Sequence, residues 1–223
     1  MMRADYRTSH TGPDKGEQYS DIFQSSRWLR YVMQRESKEL VDLTKRWCVH
    51  RSAYLDFACG TARILKLLGP VFATAMGVDI SSSMLGVARR SCTYPLIEGD
   101  VTSDPEILGT RRFDLITAFR FFPNAQPDLR RDVMRELVAH LAPDGTLIFN
   151  NHLNATSSLI RAHEVLRRAV AWTPMHHDEV KAKEAGLPSV FGHGMFSAGL
   201  LAKALTDYVG VGNLCRYRVP FTK

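Results

Sequence analysis

Between residues 53 and 150, short apolar runs alternate with segments of helical period, and this alternation restricts the fold more than any other feature of the chain. The runs at 53–58, at 72–78 ending on Asp79, at Leu96-Ile97, at 113–119 and at 146–150 have the length and composition of buried strands. Segments 61–68, 82–90 and 127–141 read as helices. Gly69-Pro70 stops the first of them, and serines are available to cap the second. The third carries Leu129, Val133, Leu137, Val138 and Leu141 on one face, before the turn signal Pro143-Asp144-Gly145. Strands alternating with helices argue for an open, mostly parallel sheet covered on both faces. Such sheets bind ligands at the carboxyl ends of their strands, near the point where strand order reverses.

The flanks are less regular. Residues 1–18 are polar and carry Gly12, Pro13 and Gly16, so they are expected to be mobile. Residues 20–47 have a helical pattern in which Ile22, Trp28, Leu29, Val32, Leu40, Leu43 and Trp47 recur. Trp28 and Trp47 suit a dimer patch and a core equally well, so the oligomeric state is left open. Beyond residue 151, a helix at 155–171, a short one at 178–185 and a last strand at 216–220 are expected. The whole chain of 223 residues fits one domain, or one domain with an insertion. No apolar run approaches the ~18–20 residues of a membrane span, and no secretory h-region opens the chain. Cys48, Cys59, Cys92 and Cys215 show no metal or redox spacing and read as reduced thiols of a cytoplasmic protein. The net charge of +6 comes from scattered pairs such as Arg89-Arg90 and Arg167-Arg168, which fit solvated faces or a functional basic surface.

The most informative stretch is Leu55-Asp56-Phe57-Ala58-Cys59-Gly60-Thr61-Ala62, where a strand gives way to a loop of small residues and then to a helix. Small residues let backbone approach a ligand closely, and a helix start offers unpaired N–H groups. A tight strand-to-helix turn packed with small side chains would look the same. A dinucleotide fingerprint would need glycines at Ala58, Gly60 and Arg63, and the arginine conflicts with close helix–strand packing. A G-x-x-x-x-G-K-[ST] phosphate loop is absent.

Residues 55–62 resemble the first motif of the class I S-adenosylmethionine-dependent methyltransferases, D-x-G-x-G-T-G. Asp56, Gly60 and Thr61 are kept, and alanine stands at 58 and 62 where the family most often has glycine. The resemblance continues in order. Gly77-Val78-Asp79-Ile80-Ser81 looks like the second-strand motif, Ser83-Met84-Leu85 like its continuation, and Gly99-Asp100-Val101 like the acidic loop after the third strand. Phe113-Asp114-Leu115-Ile116 is similar to the fourth-strand entry, and Leu141–Leu147 to the turn before the fifth strand. Together they cover about half of the chain.

The resemblance implies an α/β fold: a Rossmann-like, doubly wound, mostly parallel seven-stranded sheet with helices on both faces. It implies one methyltransferase domain over 19–223, with a helical lid at 19–50, a cofactor-binding half at 51–151 and an acceptor cover at 152–196. The implied cofactor is S-adenosyl-L-methionine, held by Tyr19, Asp56, Ala58, Cys59, Gly60, Thr61, Asp79, Ile80, Met84, Gly99, Asp100, Val101 and Phe119. In this scheme Asp79 accepts both ribose hydroxyls, a task suited to a two-oxygen carboxylate. Ile80 and Val101 flank the adenine, and Asp100 accepts its exocyclic amine or else caps the following helix. Asp56 orders the loop and supports the ligand's ammonium group, or does the first alone. Tyr19 belongs to the lid, or packs elsewhere.

Methyl transfer is an in-line displacement in which proximity and orientation do most of the work. An oxygen or ammonium acceptor must also lose a proton, which a positioned base can take. His152 is the candidate, at the ligand edge of the sheet after Asn150-Asn151; His176, His177, Asp178 and His193 stand further on, and a structural role for His152 is the alternative. The adjacent His176 and His177 point apart and lack an acidic cluster, so no metal site is expected. The acceptor is expected to be a small molecule met by Arg120, Phe122, Asn151 and His152. Phe121, Trp172, Phe191 and Phe196 are further apolar candidates whose alternative is core packing. Residues 119–124 lack the [DNS]-P-P-[FYW] signature of enzymes that methylate nucleic-acid amino groups, which speaks against that partner. Arg120 at an acceptor mouth suits a carboxylate or phosphate on the acceptor, with an ion pair to Asp114 or Asp128 as the alternative. A methyltransferase fold that acts on a macromolecule, or only binds the cofactor, is the other reading.

Overall fold

The computed structural model describes residues 6–9, 12–122, 124–150 and 214–218. Strands β1 (Ala53–Phe57), β2 (Thr74–Asp79), β3 (Leu96–Glu98), β4 (Phe113–Ala118), β5 (Leu141–Asn150) and β6 (Leu214–Arg218) form one sheet in the order β3-β2-β1-β4-β5-β6. The first five run parallel, and β6 lies antiparallel on β5. The expected seven-stranded sheet is thus represented by six strands among the described residues. The chain moves outward from β1 through β2 to β3 and then crosses back to β4 on the other side of β1. The switch point therefore falls between the carboxyl ends of β1 and β4.

Both faces of the sheet are covered, so strand residues of both parities must be apolar. Leu55, Phe57, Val78, Ile116 and Phe149 pack on one face with Leu129, Val133 and Leu137 of α6 (Pro127–Ala139). Tyr54, Ala75, Leu115 and Ile148 pack on the other. Their cover is Leu40 and Leu43 of α3 (Arg27–Trp47), Leu65 of α4 (Arg63–Leu68) and Ala88 of α5 (Ser82–Arg89). Local signals set the boundaries. Ser81 caps α5 by accepting from the Met84 N–H, and Pro127 opens α6 at a position where its missing N–H costs nothing. The Pro143–Gly145 turn lies inside β5, where the register against β4 jumps and Asp144 takes a positive φ of 61°.

Within the N-terminal stretch, α1 (Tyr6–Ser9) and the start of α2 (Lys15–Ser25) are described. The expected helix at 20–47 is two helices, broken at Ser26, whose backbone is extended while its N–H caps α2 on the Ile22 carbonyl. Close backbone approach anchors the start of α2. The Gly16 N–H donates to Ser83 Oγ at 3.0 Å, and that hydroxyl donates to the Pro13 carbonyl at 2.6 Å. A Cβ at Gly16 would sit 2.4 Å from the Ser83 carbonyl oxygen, so only glycine permits the contact. No helix among the described residues is long and apolar enough to cross a membrane. The helices expected at 155–171 and 178–185 lie outside the described residues, as do positions 219 and 220 of the last expected strand, whose positions 216–218 fall in β6 (Leu214–Arg218).

Candidate functional site

A cleft of about 240 Å³ opens at the carboxyl ends of β1, β2 and β4, over the switch point. The loop after β1 forms its floor. Ala58, Gly60 and Ala62 adopt φ values of 52°, 53° and 59°, a left-handed turn at every second residue. Gly60 has nothing within 4 Å of where a Cβ would stand, so its open side faces the cleft. The two alanines hold a conformation that costs L-residues about 1–2 kcal/mol. Ala58 lines the cleft, whereas Ala62 is fully buried and loses useful packing if trimmed. Ala58→Gly is therefore expected to stabilise the fold by about 0.5–1 kcal/mol and Ala62→Gly to be near neutral. Thermal melts of the two variants check this, and an unchanged melting temperature for Ala58→Gly would refute it.

Three carboxylates stand at the strand ends. Asp79 accepts from the Gly60 N–H through Oδ2 and from the Ser81 N–H through Oδ1, both at 2.8 Å. It thereby ties the β1 loop to the β2 loop and lies half-buried with its carboxylate at the cleft. Asp56 is buried in β1. Its Oδ1 accepts from the Thr117 hydroxyl at 2.7 Å and its Oδ2 from the Leu65 N–H at 3.0 Å, inside the first turns of α4. Burial pushes its carboxyl up to about 7, against those two hydrogen bonds and the Arg63 charge. Asp100 accepts from the Thr102 N–H and hydroxyl, from Ser103 and from Arg7. Burial alone would raise its carboxyl, but the Thr102 and Arg7 contacts more than reverse this and leave it below the usual carboxylate range.

At the other end of the cleft stands Arg120, whose backbone is left-handed with φ 63°. The surroundings impose this strain from both sides: the Arg120 N–H donates to Asn150 Oδ1 at 2.6 Å, and the Arg120 carbonyl accepts from Asn124 Nδ2 at 2.5 Å. Its side chain lies near the Tyr19 hydroxyl of α2. Burial raises the Tyr19 phenol against the pull of Arg120 and Arg63, so the hydroxyl stays neutral at ordinary pH. Neither expected ion-pair partner of Arg120 is placed for that role: Asp114 accepts from the Ser52 and Ala53 N–H groups, and Asp128 pairs with Arg131.

Of the residues expected to hold the cofactor, Tyr19, Asp56, Ala58, Cys59, Gly60, Thr61, Asp79, Ile80, Met84, Gly99, Asp100 and Phe119 line the cleft. Val101 does not; it is 2% exposed in the core. Among the residues expected to meet the acceptor, Arg120 lines the cleft and Phe122 does not. Phe122 is buried against Phe149, at 4.8 Å between ring centres, while its neighbour Phe121 turns into the cleft wall. Asn151, His152, Trp172, His176, His177, Asp178, Phe191, His193 and Phe196 lie outside the described residues. Sequence reasoning missed Tyr6, Arg7, Arg63 and Asn124, all of which line the cleft. Tyr6 packs edge-on against Phe121, with ring centres 5.2 Å apart. Arg63 pairs with the buried Glu36 of α3.

The chain matches two family models: "Methyltransferase domain" over residues 55–145 and "MaoC like domain" over residues 167–223. The second match contains β6, which the structure pairs with β5 of the same sheet. Over 117 residues the chain is 32% identical to dTDP-3-amino-3,6-dideoxy-alpha-D-glucopyranose N,N-dimethyltransferase of Streptomyces fradiae, covering 51% of this chain and 45% of the other. It is also 32% identical over 140 residues to dTDP-4-amino-2,3,4,6-tetradeoxy-D-glucose N,N-dimethyltransferase of Saccharopolyspora spinosa, covering 61% and 53%. Among solved structures, the sugar N-methyltransferase KedS8 from a Streptoalloteichus species superposes with a TM-score of 0.52 at 25% identity, over 70% of this chain and 61% of that one. The chain spans about half the length of the curated relatives it matches.

Proposed function

We propose that this chain is a class I S-adenosylmethionine-dependent methyltransferase that methylates a small molecule at nitrogen or oxygen, with the amine of an anionic sugar or related specialised metabolite as the acceptor. The observation that carries the reading is the loop of residues 58–62, with its open face at Gly60 and its tie to Asp79 at the switch point. The residues fit the cofactor. Asp79 stands at the cleft with its two oxygens turned to the β1 and β2 loops, and a two-oxygen carboxylate suits a pair of ribose hydroxyls. Ile80 supplies an apolar wall beside it, and Asp56 puts a carboxylate behind the loop where an ammonium group would lie. When bound, S-adenosylmethionine supplies a methyl group already activated on a sulfonium.

This chain's own contribution is to align and desolvate the acceptor. Arg120 and Tyr19 stand together at the cleft mouth, and a guanidinium there pairs with a phosphate or carboxylate of the acceptor. The curated relatives act, by their names, on dTDP-linked amino sugars, whose diphosphate has the matching charge. His152 is proposed as the base that takes a proton from the acceptor, with Asn151 beside it. The domain is proposed to run from 19 to 223 as one unit with 152–196 as acceptor cover, a reading supported by β6 completing the same sheet. The protein is proposed to work in the cytoplasm.

Calorimetry with S-adenosylmethionine tests the cofactor; no heat and no thermal shift would overturn the reading. For the acceptor, Arg120→Met is expected to raise the KM for a dTDP-linked amino sugar about tenfold or more, the value of a charged hydrogen bond, while cofactor affinity changes little. An unchanged acceptor KM and kcat would remove the anion-binding role.

A further inference from the structure

The cofactor's amino acid tail carries an ammonium group and a carboxylate on one carbon, so whatever takes the carboxylate must stand beside the acid that takes the ammonium. In the methyltransferase reading above, that acid is Asp56, behind the loop of residues 58–62. Three arginines line the cleft, and they stand at different strand ends. Arg7 pairs with Asp100 after β3, and Arg120 follows β4. Arg63 follows the β1 loop directly, as the first residue of α4 after the left-handed Ala62. Against the burial that raises both groups, its charge pulls down the carboxyl of Asp56 and, with Arg120, the phenol of Tyr19. Arg63 therefore stands near the acid under the loop and near the α2 tyrosine that lines the same cleft.

The guanidinium of Arg63 is held in place from outside the cleft. Nη1 donates to Ser37 Oγ at 3.1 Å, and Nη2 donates to Glu36 Oε2, both on α3. The Glu36 side chain is 6% exposed and that of Arg63 25%. A buried carboxylate stripped of this partner would be costly to keep charged, which makes the pair a fixed part of the wall. Two bonds to one helix set the plane of a rigid, planar group. They use two of the five N–H groups that a guanidinium carries, and among the described residues nothing else accepts from the other three. An oriented, planar donor set of this kind matches a carboxylate, which is the one anionic group of the cofactor.

We propose that Arg63 takes the carboxylate of the cofactor's amino acid tail, with Glu36 and Ser37 of α3 as the positioning residues that hold its guanidinium. The proposal rests on the methyltransferase reading above. It brings α3 into the cofactor site although none of its described residues lines the cleft. Its test is calorimetry on the full chain with S-adenosylhomocysteine and with the analogue that lacks only the α-carboxylate. A charged hydrogen bond is worth about tenfold or more in affinity. The wild type is accordingly expected to bind the decarboxylated analogue about tenfold or more weaker, and equal affinities would overturn the proposal without any variant. Arg63→Met is expected to lose about the same factor for S-adenosylhomocysteine and nothing for the analogue, which closes the gap between the two ligands. Because that variant strands the Glu36 charge, Glu36→Gln/Arg63→Met is measured beside it and is expected to close the gap as well. Equal losses for both ligands would make Arg63 a support of the loop and overturn the proposal, and so would a gap that survives in both variants. Arg120→Met is expected to keep the gap; closure there instead would assign the carboxylate to Arg120. Glu36→Gln alone leaves the arginine but loosens it. It is expected to weaken S-adenosylhomocysteine about two- to tenfold with the analogue unchanged, and unchanged affinity for both would remove the positioning role of Glu36. If the wild-type protein binds neither ligand, the methyltransferase reading itself fails and takes the proposal with it.

Discussion

Replacing Asp79 with alanine is expected to lower affinity for S-adenosylhomocysteine by at least about 100-fold, the largest single loss available at this cleft. Two separate effects add. The carboxylate fastens the β1 loop to the β2 loop through the Gly60 and Ser81 N–H groups, and charged hydrogen bonds of this kind contribute about 1.5–3 kcal/mol each. Without it, Gly60 loses its tie and the left-handed run from Ala58 to Ala62 loses the partner that stabilises its shape. The same two oxygens are those proposed to take the ribose hydroxyls, so the variant removes the ligand's contact as well as the loop's support. Asp79→Asn separates the two effects. An amide keeps one acceptor oxygen, which can serve Gly60 or Ser81 but not both. Its affinity is expected to fall by about tenfold, with a melting temperature between those of wild type and alanine variant. Calorimetry paired with thermal melts gives both numbers. Wild-type affinity in Asp79→Ala would show that this cleft does not hold the ribose.

Asp79 was legible in the sequence because its role is local: a strand, an acid at its end and a small-residue loop nineteen positions earlier all lie within the alternating region. The same locality made β1, β2, β4 and α6 readable. What escaped has no local period. α1 is a single turn, too short to show an amphipathic pattern, and its chemistry depends on Asp100 far along the chain. α2 docks through an absent side chain, at Gly16, and a glycine in a polar stretch reads as flexibility unless the close partner is known. Phe121 and Phe122 were interchangeable as letters. The positive φ at Arg120 decides which of the two turns toward the cleft and which toward Phe149. The alanines at 58 and 62 concealed their backbone because alanine ordinarily signals a right-handed helix, whereas here the fold holds both residues in the left-handed region.

Asp56 is expected to give the protein a stability that falls as pH rises from about 4 to about 7 and is level above that. The sign follows from where the proton sits. Burial lifts the folded carboxyl from 3.8 to about 7, so between those values the folded state keeps a proton that the unfolded chain has already released. Stability declines wherever the folded state binds more protons, and the full shift corresponds to about 4 kcal/mol at most. The protonated form suits the site: its hydroxyl can donate to Thr117 Oγ1, which then donates to the Tyr54 hydroxyl 2.7 Å away, while the other oxygen still accepts from the Leu65 N–H. Asparagine reproduces that arrangement with its amide, so Asp56→Asn is expected to fold and to lose the pH slope in urea unfolding curves between pH 4.5 and 8. Cofactor affinity should run the other way. A bound ammonium group beside Asp56 favours the ionised carboxylate, so binding of S-adenosylhomocysteine strengthens as pH rises to about 7 and is level above, and Asp56→Asn flattens that dependence. The two slopes are opposite in sign and both end near pH 7. A stability slope without an affinity slope would restrict Asp56 to ordering the loop through Leu65, and the loss of both would place its proton elsewhere.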